Sequence, residues 1–407
     1  MPRPIVIVGA LDTKGKEFQF VRDLIQSSGL ETLVVDFGVM GDPSFTPDVT
    51  ADEVAHAAGS SLAELRAEAN KTRAMRTMSD GLAKVVTDLH AAGRLGGILG
   101  MGGGGGTAIA TAAMRGLPTG LPKLMVSTVA AGNIAPYVGT RDITVMPSVL
   151  DVAGINSISR RIYANAATAI MGMVRQMSEV DATSAMKEER PLITASMFGN
   201  TTPCVNHARE LLEAKGYEVL VFHATGTGGN TMEGLIADGY IAANLDLTTT
   251  ELADEVCGGI LSAGPDRMMA AARAGIPTVL APGCVDMANF GARADVPQKY
   301  QSRLLYEWNP NVTLLRTNVE ENHAIGEMIA HAANASTGPV AVLIPRRGVS
   351  QLDSPGGAFW DPEADQACFA AIKEKLHSAI PCVEMDNNIN DPEFAEKAVA
   401  FLLDMLS

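Results

Sequence analysis

The chain has 407 residues, of which 47% are hydrophobic and 19% are charged, and its formal net charge at pH 7 is −15. This length exceeds what one hydrophobic core supports and predicts two or three domains, while the apolar content excludes an intrinsically disordered chain. The negative charge argues against a general binder of nucleic-acid backbones, because such proteins need clustered cations.

The amino-terminal segment and the cysteines indicate the cellular compartment. A strand-like run begins at Ile5, and no basic and apolar leader with a cleavage site precedes it. No window approaches the roughly 18 apolar residues that a bilayer span needs. The five cysteines are scattered and form no Cys-x-x-Cys pair, which argues against a disulfide framework or a zinc site. We therefore expect a cytoplasmic protein without a membrane partner.

Short apolar runs alternate with helical stretches along the chain, a pattern typical of parallel sheets covered by helices. In the first half, the predicted strands are 5–9, 31–37, 97–100, 124–128 and 142–145. In the second half, they are 192–197, 218–223, 259–261, 278–281, 312–315 and 340–345. The sequence therefore predicts an α/β fold.

The two halves share the order and spacing of these runs, which indicates a repeat. The matched pairs are 5–36 with 192–223, 96–99 with 258–261, 121–126 with 276–281, and 142–145 with 311–314. The charged stretch 178–190 is the predicted join, and it gives domains 1–185 and 186–407. We expect two Rossmann-like lobes with parallel sheets, related by internal duplication, with a ligand in the cleft between them beyond the strands' carboxyl ends.

A run of five glycines follows the strand predicted at 97–100 and precedes an alanine-rich helix. Backbone amides without side chains can converge on one anion, and the start of a helix adds a favourable dipole. The P-loop signature is absent, and a loose Gly-x-Gly-x-x-Ala match is weak evidence for a dinucleotide. We predict a phosphate-binding loop, with a tight turn and close helix packing as the alternative. Its residues are Gly102, Gly103, Gly104, Gly105, Gly106 and Thr107.

Polar residues also follow the first predicted strand. Lys14 is a candidate ligand of a phosphate, Asp12 of a metal or a ribose, and Thr13 belongs to the same cofactor-binding segment. The alternative is structural, because Asp12 or Thr13 could cap the next helix.

A second glycine- and threonine-rich loop begins at His223 in the second half. His223 is a candidate catalytic acid or base, and Thr225, Gly226 and Gly228 are candidate contacts for an anionic substrate. A purely structural histidine is the alternative.

Four more polar residues of the second half are candidates: Glu251 lies in an acceptor-rich segment, and the other three follow predicted strands. Glu251 and Asp286 are candidate catalytic carboxylates, while Asn289 and Arg316 are candidate substrate contacts. Helix capping near Glu251, a turn at Asn289 and a surface ion pair at Arg316 are the alternatives. Cys284 has no adjacent base in sequence, which argues against a thiolate nucleophile.

Several blocks, taken in order, resemble a formerly uncharacterised family of ATP-binding proteins whose named plant member confers resistance to tomato mosaic virus. The blocks include Leu-Asp-Thr-Lys-Gly at 11–15, the glycine run to Thr107, Met-Phe-Gly-Asn-Thr-Thr-Pro at 197–203, His-Ala-Thr-Gly at 223–226 and Asp-Leu-Thr-Thr-Thr-Glu at 246–251. The resemblance spans essentially the whole chain. It implies two Rossmann-like lobes, ATP binding and dimerisation. An antiviral role does not carry over, because the plant protein continues into a barrel-like part.

We therefore expect a cytoplasmic ATP-binding enzyme of small-molecule metabolism that works as a homo-oligomer. ATP phosphates would lie on the glycine loop with Mg²⁺ held partly by the nucleotide, without a metal site of the protein's own, and phosphoryl transfer would fit such a site. Two alternatives stay open. One is a non-catalytic protein that senses a nucleotide and recruits a partner, and the other is an ATP-independent hydrolase or lyase that uses His223 and Asp286.

Overall fold

A computed structural model describes residues 2–184 and 190–407. The chain divides into two compact units, Met1–Glu188 and Glu189–Ser407. The domain boundary predicted between residues 185 and 186 lies outside the described residues. Each unit contains a parallel sheet covered by helices, so the predicted α/β class with two Rossmann-like lobes is confirmed.

The first unit contains a five-stranded parallel sheet with the order β2-β1-β3-β4-β5. Its strands are β1 (Ile5–Gly9), β2 (Thr32–Asp36), β3 (Gly97–Gly102), β4 (Lys123–Ser127) and β5 (Thr144–Pro147). Its helices are α1 (Leu11–Ser27), α2 (Ala51–Ala57), α3 (Leu62–Glu68), α4 (Lys71–Ala91), α5 (Gly104–Arg115), α6 (Ala135–Val138) and α7 (Ser157–Ser184).

Strand alternation explains how this sheet is covered on both sides. In β1, Ile5 and Ile7 belong to the hydrophobic cluster that includes residues of α1 and α7. Val6 and Val8 belong to the cluster that includes residues of α2, α4 and α5. Successive side chains of a strand point to opposite faces, so a continuous apolar run such as that of β1 needs helices on both.

The second unit contains a six-stranded parallel sheet and a small antiparallel one. The parallel order is β14-β13-β9-β8-β6-β7, and the antiparallel order is β10-β12-β11. The strands are β6 (Leu192–Met197), β7 (Glu218–His223), β8 (Ile241–Thr248), β9 (Thr278–Gly283), β10 (Met287–Phe290), β11 (Leu305–Asn309), β12 (Val312–Arg316), β13 (Val340–Pro345) and β14 (Cys382–Met385). The helices are α8 (Thr202–Glu213), α9 (Thr227–Ala237), α10 (Thr250–Cys257), α11 (Met269–Ala274), α12 (Val319–Asn334), α13 (Pro362–Lys375) and α14 (Pro392–Leu406).

The repeat is real in strand order, but two of the predicted correspondences are wrong. Residues 259–261 form turns after α10 and not a strand, because Gly258 ends that helix in a left-handed conformation. The third strand of the second sheet is β8, which we did not predict. The run predicted at 312–315 is β12 of the antiparallel sheet. Read from β7, the parallel sheet has the order β7-β6-β8-β9-β13-β14, so β13 and not β12 is the counterpart of β5. The strand predicted at 142–145 is shifted, and β5 begins at Thr144.

Candidate functional site

The glycine run lies where the strand order of the first sheet reverses direction. The chain moves outward from β1 to β2 and then returns to pair β3 on the other side of β1. In open α/β sheets, ligands bind beyond the carboxyl ends of the strands at such a switch point. Because Gly102 ends β3 and Gly104 begins α5, the run occupies this location.

The first turn of α5 consists of glycines and has no side-chain cap. Gly103 is the N-cap residue, and its lack of a side chain leaves the amide groups of Gly104, Gly105 and Gly106 without a capping oxygen. First-turn amides have no acceptor within their own helix, and the helix dipole places partial positive charge there. The arrangement can therefore receive an anion.

The fold itself requires only the first glycine of the run. A Cβ atom built on Gly102 would lie 3.2 Å from the Cα of Gly106, a tight contact. At the next four glycines, the nearest atom to such a Cβ is 3.6 Å away or farther, and none of the four has a positive φ. Close packing, the structural alternative, thus explains Gly102 but not Gly103 to Gly106.

An apolar cavity of about 680 Å³ lies beside this turn. The terminal methyl of Met75, which lines the cavity, is 3.6 Å from the Cβ position at Gly105. Met78, Leu65 and Ile109 contribute further apolar wall, and the exposed Lys71 contributes a cation. Met75 therefore lies between this cavity and the first turn of α5.

Two side chains hold one wall of the cavity from opposite sides. The Asp12 carboxylate accepts hydrogen bonds from the amides of Met40 (2.8 Å) and Gly41 (3.1 Å). The Arg66 guanidinium donates to the carbonyls of Val39 (2.7 Å) and Gly41 (2.6 Å). Asp12 thus fixes the main chain of residues 39–41, which forms this wall. The predicted alternative, a capping role, does not hold, because the N-cap of α1 is Ala10 rather than Asp12 or Thr13.

Lys14 and Thr13 have partners within the protein. The Lys14 ammonium donates to the carbonyl of Val152, and the Thr13 hydroxyl lies 3.5 Å from the carbonyl of Ala10. The structure therefore gives Lys14 a structural contact, and its role as a phosphate ligand stays a prediction.

A smaller, more polar chamber of about 350 Å³ adjoins the loop after β4. Ser127, Thr128, Ser148 and Asp151 are its polar lining residues. The Thr128 hydroxyl is 3.7 Å from the Cβ position at Gly103, and the Thr107 hydroxyl is hydrogen-bonded to that of Ser127 at 2.7 Å. The start of α5 therefore has polar neighbours on the side of β4.

The glycine loop after β7 differs, because a carboxylate of the protein already occupies its amides. Oε1 of the buried Glu251 accepts hydrogen bonds from the amides of Gly226 (2.7 Å) and Gly229 (3.1 Å). Gly226 has a φ of 78°, and a Cβ on Gly228 would lie 1.8 Å from the carbonyl oxygen of His223. The fold explains these glycines, and Glu251 takes the Gly226 and Gly229 amides that an external anion would need.

Arg267 explains why Glu251 is buried. Its guanidinium is fully enclosed and contacts Glu251 (2.6 Å), both carboxylate oxygens of Asp246 (2.5 and 2.7 Å) and Glu233 (3.2 Å). This Arg267 cluster is a structural ion-pair network. The predicted catalytic Glu251 has no exposed surface, so we do not include it in the candidate site.

A second buried cluster surrounds Arg316. Its guanidinium contacts the carboxylates of Asp365 (2.6 Å) and Asp353 (3.7 Å) and the carbonyl of Phe359 (2.7 Å). Asp286 accepts a hydrogen bond from Ser350 at 2.8 Å. Burial, together with the charge of Asp353, raises the pKa of Asp286 to about 7 and that of Asp365 to about 8. One guanidinium cannot neutralise three buried carboxylates, so the cluster holds protons near neutral pH.

The remaining predicted residues of the second unit are buried or separate. Asn289 is fully buried, and its side-chain amide donates to Asp254 at 2.7 Å. Burial and the charge of Asp286 hold the pKa of the Cys284 thiol well above its usual value, which argues against a nucleophilic thiolate. The Thr225 hydroxyl contacts the carbonyl of His223, whose imidazole is exposed. The catalytic and substrate roles of His223, Asp286, Asn289 and Arg316 stay predictions, because the structure does not bring these residues into one open site.

Two family models match the chain in succession. The model of the N-terminal domain of an uncharacterised protein family, UPF0261, matches residues 3–179, and that of its C-terminal domain matches residues 190–406. The chain belongs to the UPF0261 family. It is 48% identical over 407 residues to a UPF0261 protein of Clostridium tetani, with all of both chains covered, and 45% identical to one of Rhizobium meliloti, with 98% of each covered.

A plant relative of this UPF0261 chain is longer. The chain is 36% identical to the ToMV resistance protein Tm-1 of Solanum lycopersicum, with 98% of the chain and 55% of the plant protein covered. This agrees with the resemblance to a tomato mosaic virus resistance protein, whereas ATP binding stays a prediction.

Solved structures similar to the UPF0261 chain include the Streptomyces glycosyltransferase SsfS6 with thymidine diphosphate, with 11% identity, coverage of 98% and 100% of the two chains and a TM-score of 0.17. Another is a co-structure of S. aureus MnaA with UDP, with 9% identity, coverage of 68% and 78% and a TM-score of 0.20. Scores this low carry no weight for function.

Two features are absent from residues 2–184 and 190–407 of the UPF0261 chain. Within them, no helix combines the length and hydropathy that crossing a bilayer requires. No group of three or more His, Cys, Asp or Glu side chains in these ranges is arranged to hold a metal ion.

Sequence reasoning missed the cavity walls. Leu65, Arg66, Met75 and Met78 lie on α3 and α4, whose apolar periodicity is that of ordinary core-facing helices. The Arg267 cluster was missed as well, although Glu251 is a predicted site residue, because nothing local to Arg267 marks it as the partner of Glu251.

Proposed function

We propose that this protein binds ATP in its first unit, with the phosphates on the amides of Gly103 to Gly106 and the adenine in the adjacent apolar cavity. The room for side chains at these four glycines is the observation that carries the proposal. Glycine in a helix costs up to about 1 kcal/mol relative to alanine, and the surrounding fold gives no reason for that cost at Gly104, Gly105 and Gly106. Close approach of a ligand to the backbone is a sufficient reason.

The cavity favours a nucleotide over a small inorganic anion. Its volume of about 680 Å³ lies in the range of roughly 300–1,000 Å³ that is typical of small-molecule sites. Met75, Met78 and Ile109 can cover the faces of a purine, and Lys71 adds positive charge at the wall of a protein with a net charge of −15. Bound Mg²⁺ would take most of its ligands from the phosphates and water, as this ion commonly does.

The polar chamber favours an enzyme over a nucleotide sensor. A phosphate near Gly103 would border the chamber at Thr128. Phosphoryl transfer requires mainly positioning and charge neutralisation, and the free amides of α5 can contribute both. We therefore propose a small polar co-substrate in this chamber as the acceptor.

A binding experiment tests the nucleotide site. ATP, ADP and NAD are titrated by calorimetry, with and without Mg²⁺, into the wild type, Gly104→Asp and the matched control Gly172→Asp. Gly172 is an exposed position of α7 with open space around it. We expect Gly104→Asp to weaken ATP binding by at least tenfold through charge repulsion, with Gly172→Asp unchanged. Unchanged affinity in Gly104→Asp would show that the phosphates bind elsewhere.

A turnover experiment separates the enzyme from the sensor. ADP release from ATP is followed with and without a panel of small hydroxy and carboxylic acids. Release that depends on a co-substrate and is lost in Gly104→Asp supports phosphoryl transfer. Tight ATP binding without release under any condition would favour the sensor.

A further inference from the structure

A small cavity in the second unit is independent of the proposed ATP site. It has a volume of about 220 Å³ and lies after the carboxyl ends of β6 and β7. Its lining includes Phe198, Asn200, His223, Trp308 and Leu314, so two aromatic rings, an amide and an imidazole share one space. This volume falls below the usual range for drug-sized ligands and suits a single ring.

Asn200 provides an acceptor without a partner. The residue is 1% exposed, and its Oδ1 has no hydrogen-bond donor among the described residues. Its main chain is fixed, because its carbonyl accepts hydrogen bonds from the amide of Gln351 (3.1 Å) and the side chain of Asn390 (3.0 Å). A buried acceptor without a donor is unfavourable because it has lost its hydrogen bonds to water, and a ligand that donates a hydrogen bond would restore one.

Trp308 reaches the cavity from an irregular strand. In the β11–β12 pair, Glu307 lies opposite Thr313 and Asn309 opposite Val312, so Trp308 is the extra residue of a β-bulge. Bulges change the direction of a side chain and are frequent beside binding sites. The indole is 49% exposed, and its ring centroid is 6.4 Å from that of Tyr306.

His223 supplies a second polar group. It ends β7, and its imidazole is exposed while its carbonyl is fixed by the amide of Thr225 at 2.8 Å. An imidazole nitrogen can donate or accept a hydrogen bond. Together with the Asn200 acceptor, it suits a ring that carries both a donor and an acceptor.

We infer that this cavity binds a single-ring heteroaromatic compound with an N–H donor, the ring against Phe198 and Trp308 and the donor on Asn200. Stacking on aromatic side chains recognises the ring, and the amide oxygen selects compounds that can donate. The inference does not depend on ATP binding, because none of these residues belongs to the first unit.

Tryptophan fluorescence tests the site directly, because Trp308 and Trp360 are the two tryptophans of the chain. In a Trp360→Phe background, the full-length protein is titrated with cytosine and nicotinamide. Pyrazole and 1-methylpyrazole form a matched pair of heteroaromatic rings with and without an N–H donor. We expect saturable quenching by cytosine or nicotinamide, and pyrazole binding at least fivefold tighter than 1-methylpyrazole.

Variants identify the contact and guard against misfolding. Asn200→Ala should weaken binding at least tenfold, His223→Ala should weaken it at least threefold, and the exposed control His377→Ala should change nothing. If Asn200→Ala melts early, calorimetry on Trp308→Ala, at a residue that is 49% exposed, gives a second readout, and binding of cytosine or nicotinamide should weaken at least fivefold because the ring loses one aromatic wall. Absence of saturable quenching by every probe, or equal affinity for pyrazole and 1-methylpyrazole in the wild type, would overturn the inference. Gly104→Asp should leave the quenching intact, so failure of the ATP site and failure of this one are distinguishable.

Discussion

Replacing Gly104 and Gly105 by alanine should strengthen the fold and weaken the ligand site at once. Each Cβ has at least 3.6 Å of clearance, and neither residue has a positive φ. Glycine-to-alanine changes at compatible positions stabilise by about 0.4–1 kcal/mol each, so the double variant should gain about 1–2 kcal/mol. For a domain of this size that is a rise in Tm of roughly 2–4 °C per kcal/mol.

The same methyl groups should obstruct a phosphate at the amides of α5. Hydrogen bonds to charged groups contribute about 1.5–3 kcal/mol each, so losing one should cost tenfold or more in ATP affinity. Thermal denaturation and calorimetric ATP titration of the same preparations measure the two effects. Gly172→Ala, in the exposed face of α7, is the control and should gain stability without losing affinity. A lower Tm in the double variant would show that the fold has no room for side chains at Gly104 and Gly105. An unchanged ATP affinity would show that the phosphates do not bind at these amides.

Three further outcomes follow from the described contacts. Filling the cavity with Met75→Trp should weaken ATP binding at least tenfold but leave inorganic triphosphate binding unchanged, as measured by calorimetry. Arg267→Met should destabilise the second unit by about 3–5 kcal/mol in denaturant titrations, because three carboxylates lose their buried partner. The contribution of Asp286 and Asp365 to stability should fall from their ordinary pKa of 3.8 up to their folded-state pKa values of about 7 and about 8, because over this range the folded state binds more protons than the unfolded one. Thermal denaturation between pH 6 and pH 8 measures this fall.

Each of these outcomes has a control. Met75→Leu should bind ATP like the wild type, and equal losses of ATP and triphosphate in Met75→Trp would contradict an adenine site in the cavity. Arg273→Met removes an exposed arginine and should change stability little. Asp286→Asn should flatten the pH dependence, and a Tm that rises from pH 6 to pH 8 would contradict the buried-acid account.

The sequence predicted the fold class and the position of the glycine run between a strand and a helix, because both depend on local patterns. The alternation of β1 and the glycine run before α5 can be recognised without knowing their neighbours. β8 was missed since Asn244 and Asp246 interrupt its apolar pattern. In the structure these side chains accept hydrogen bonds from Thr194 (2.9 Å) and Ser196 (2.6 Å) of β6, which makes their burial possible.

The roles of the polar residues in the second unit could not be predicted, because they depend on contacts between residues that are far apart in sequence. Glu251 and Arg316 are residue types that serve catalysis, but their roles depend on partners far away in sequence, such as Arg267 and Asp365. A buried ion pair and a catalytic carboxylate look alike until the distance between partners is known. The strand predicted at 259–261 was wrong because residues 258–261 match residues 96–99 in residue type but form turns after α10.

The carboxylate of Glu251 on the loop after β7 has a consequence for stoichiometry. Although the strand order of one unit recurs in the other, the glycine-rich turn after β7 already binds an anion that belongs to the chain, the Glu251 carboxylate. Arg267 pairs with the other oxygen of this carboxylate. The chain should accordingly saturate at one equivalent of nucleotide, and truncating Glu251 would create an anion-shaped vacancy that added formate could refill.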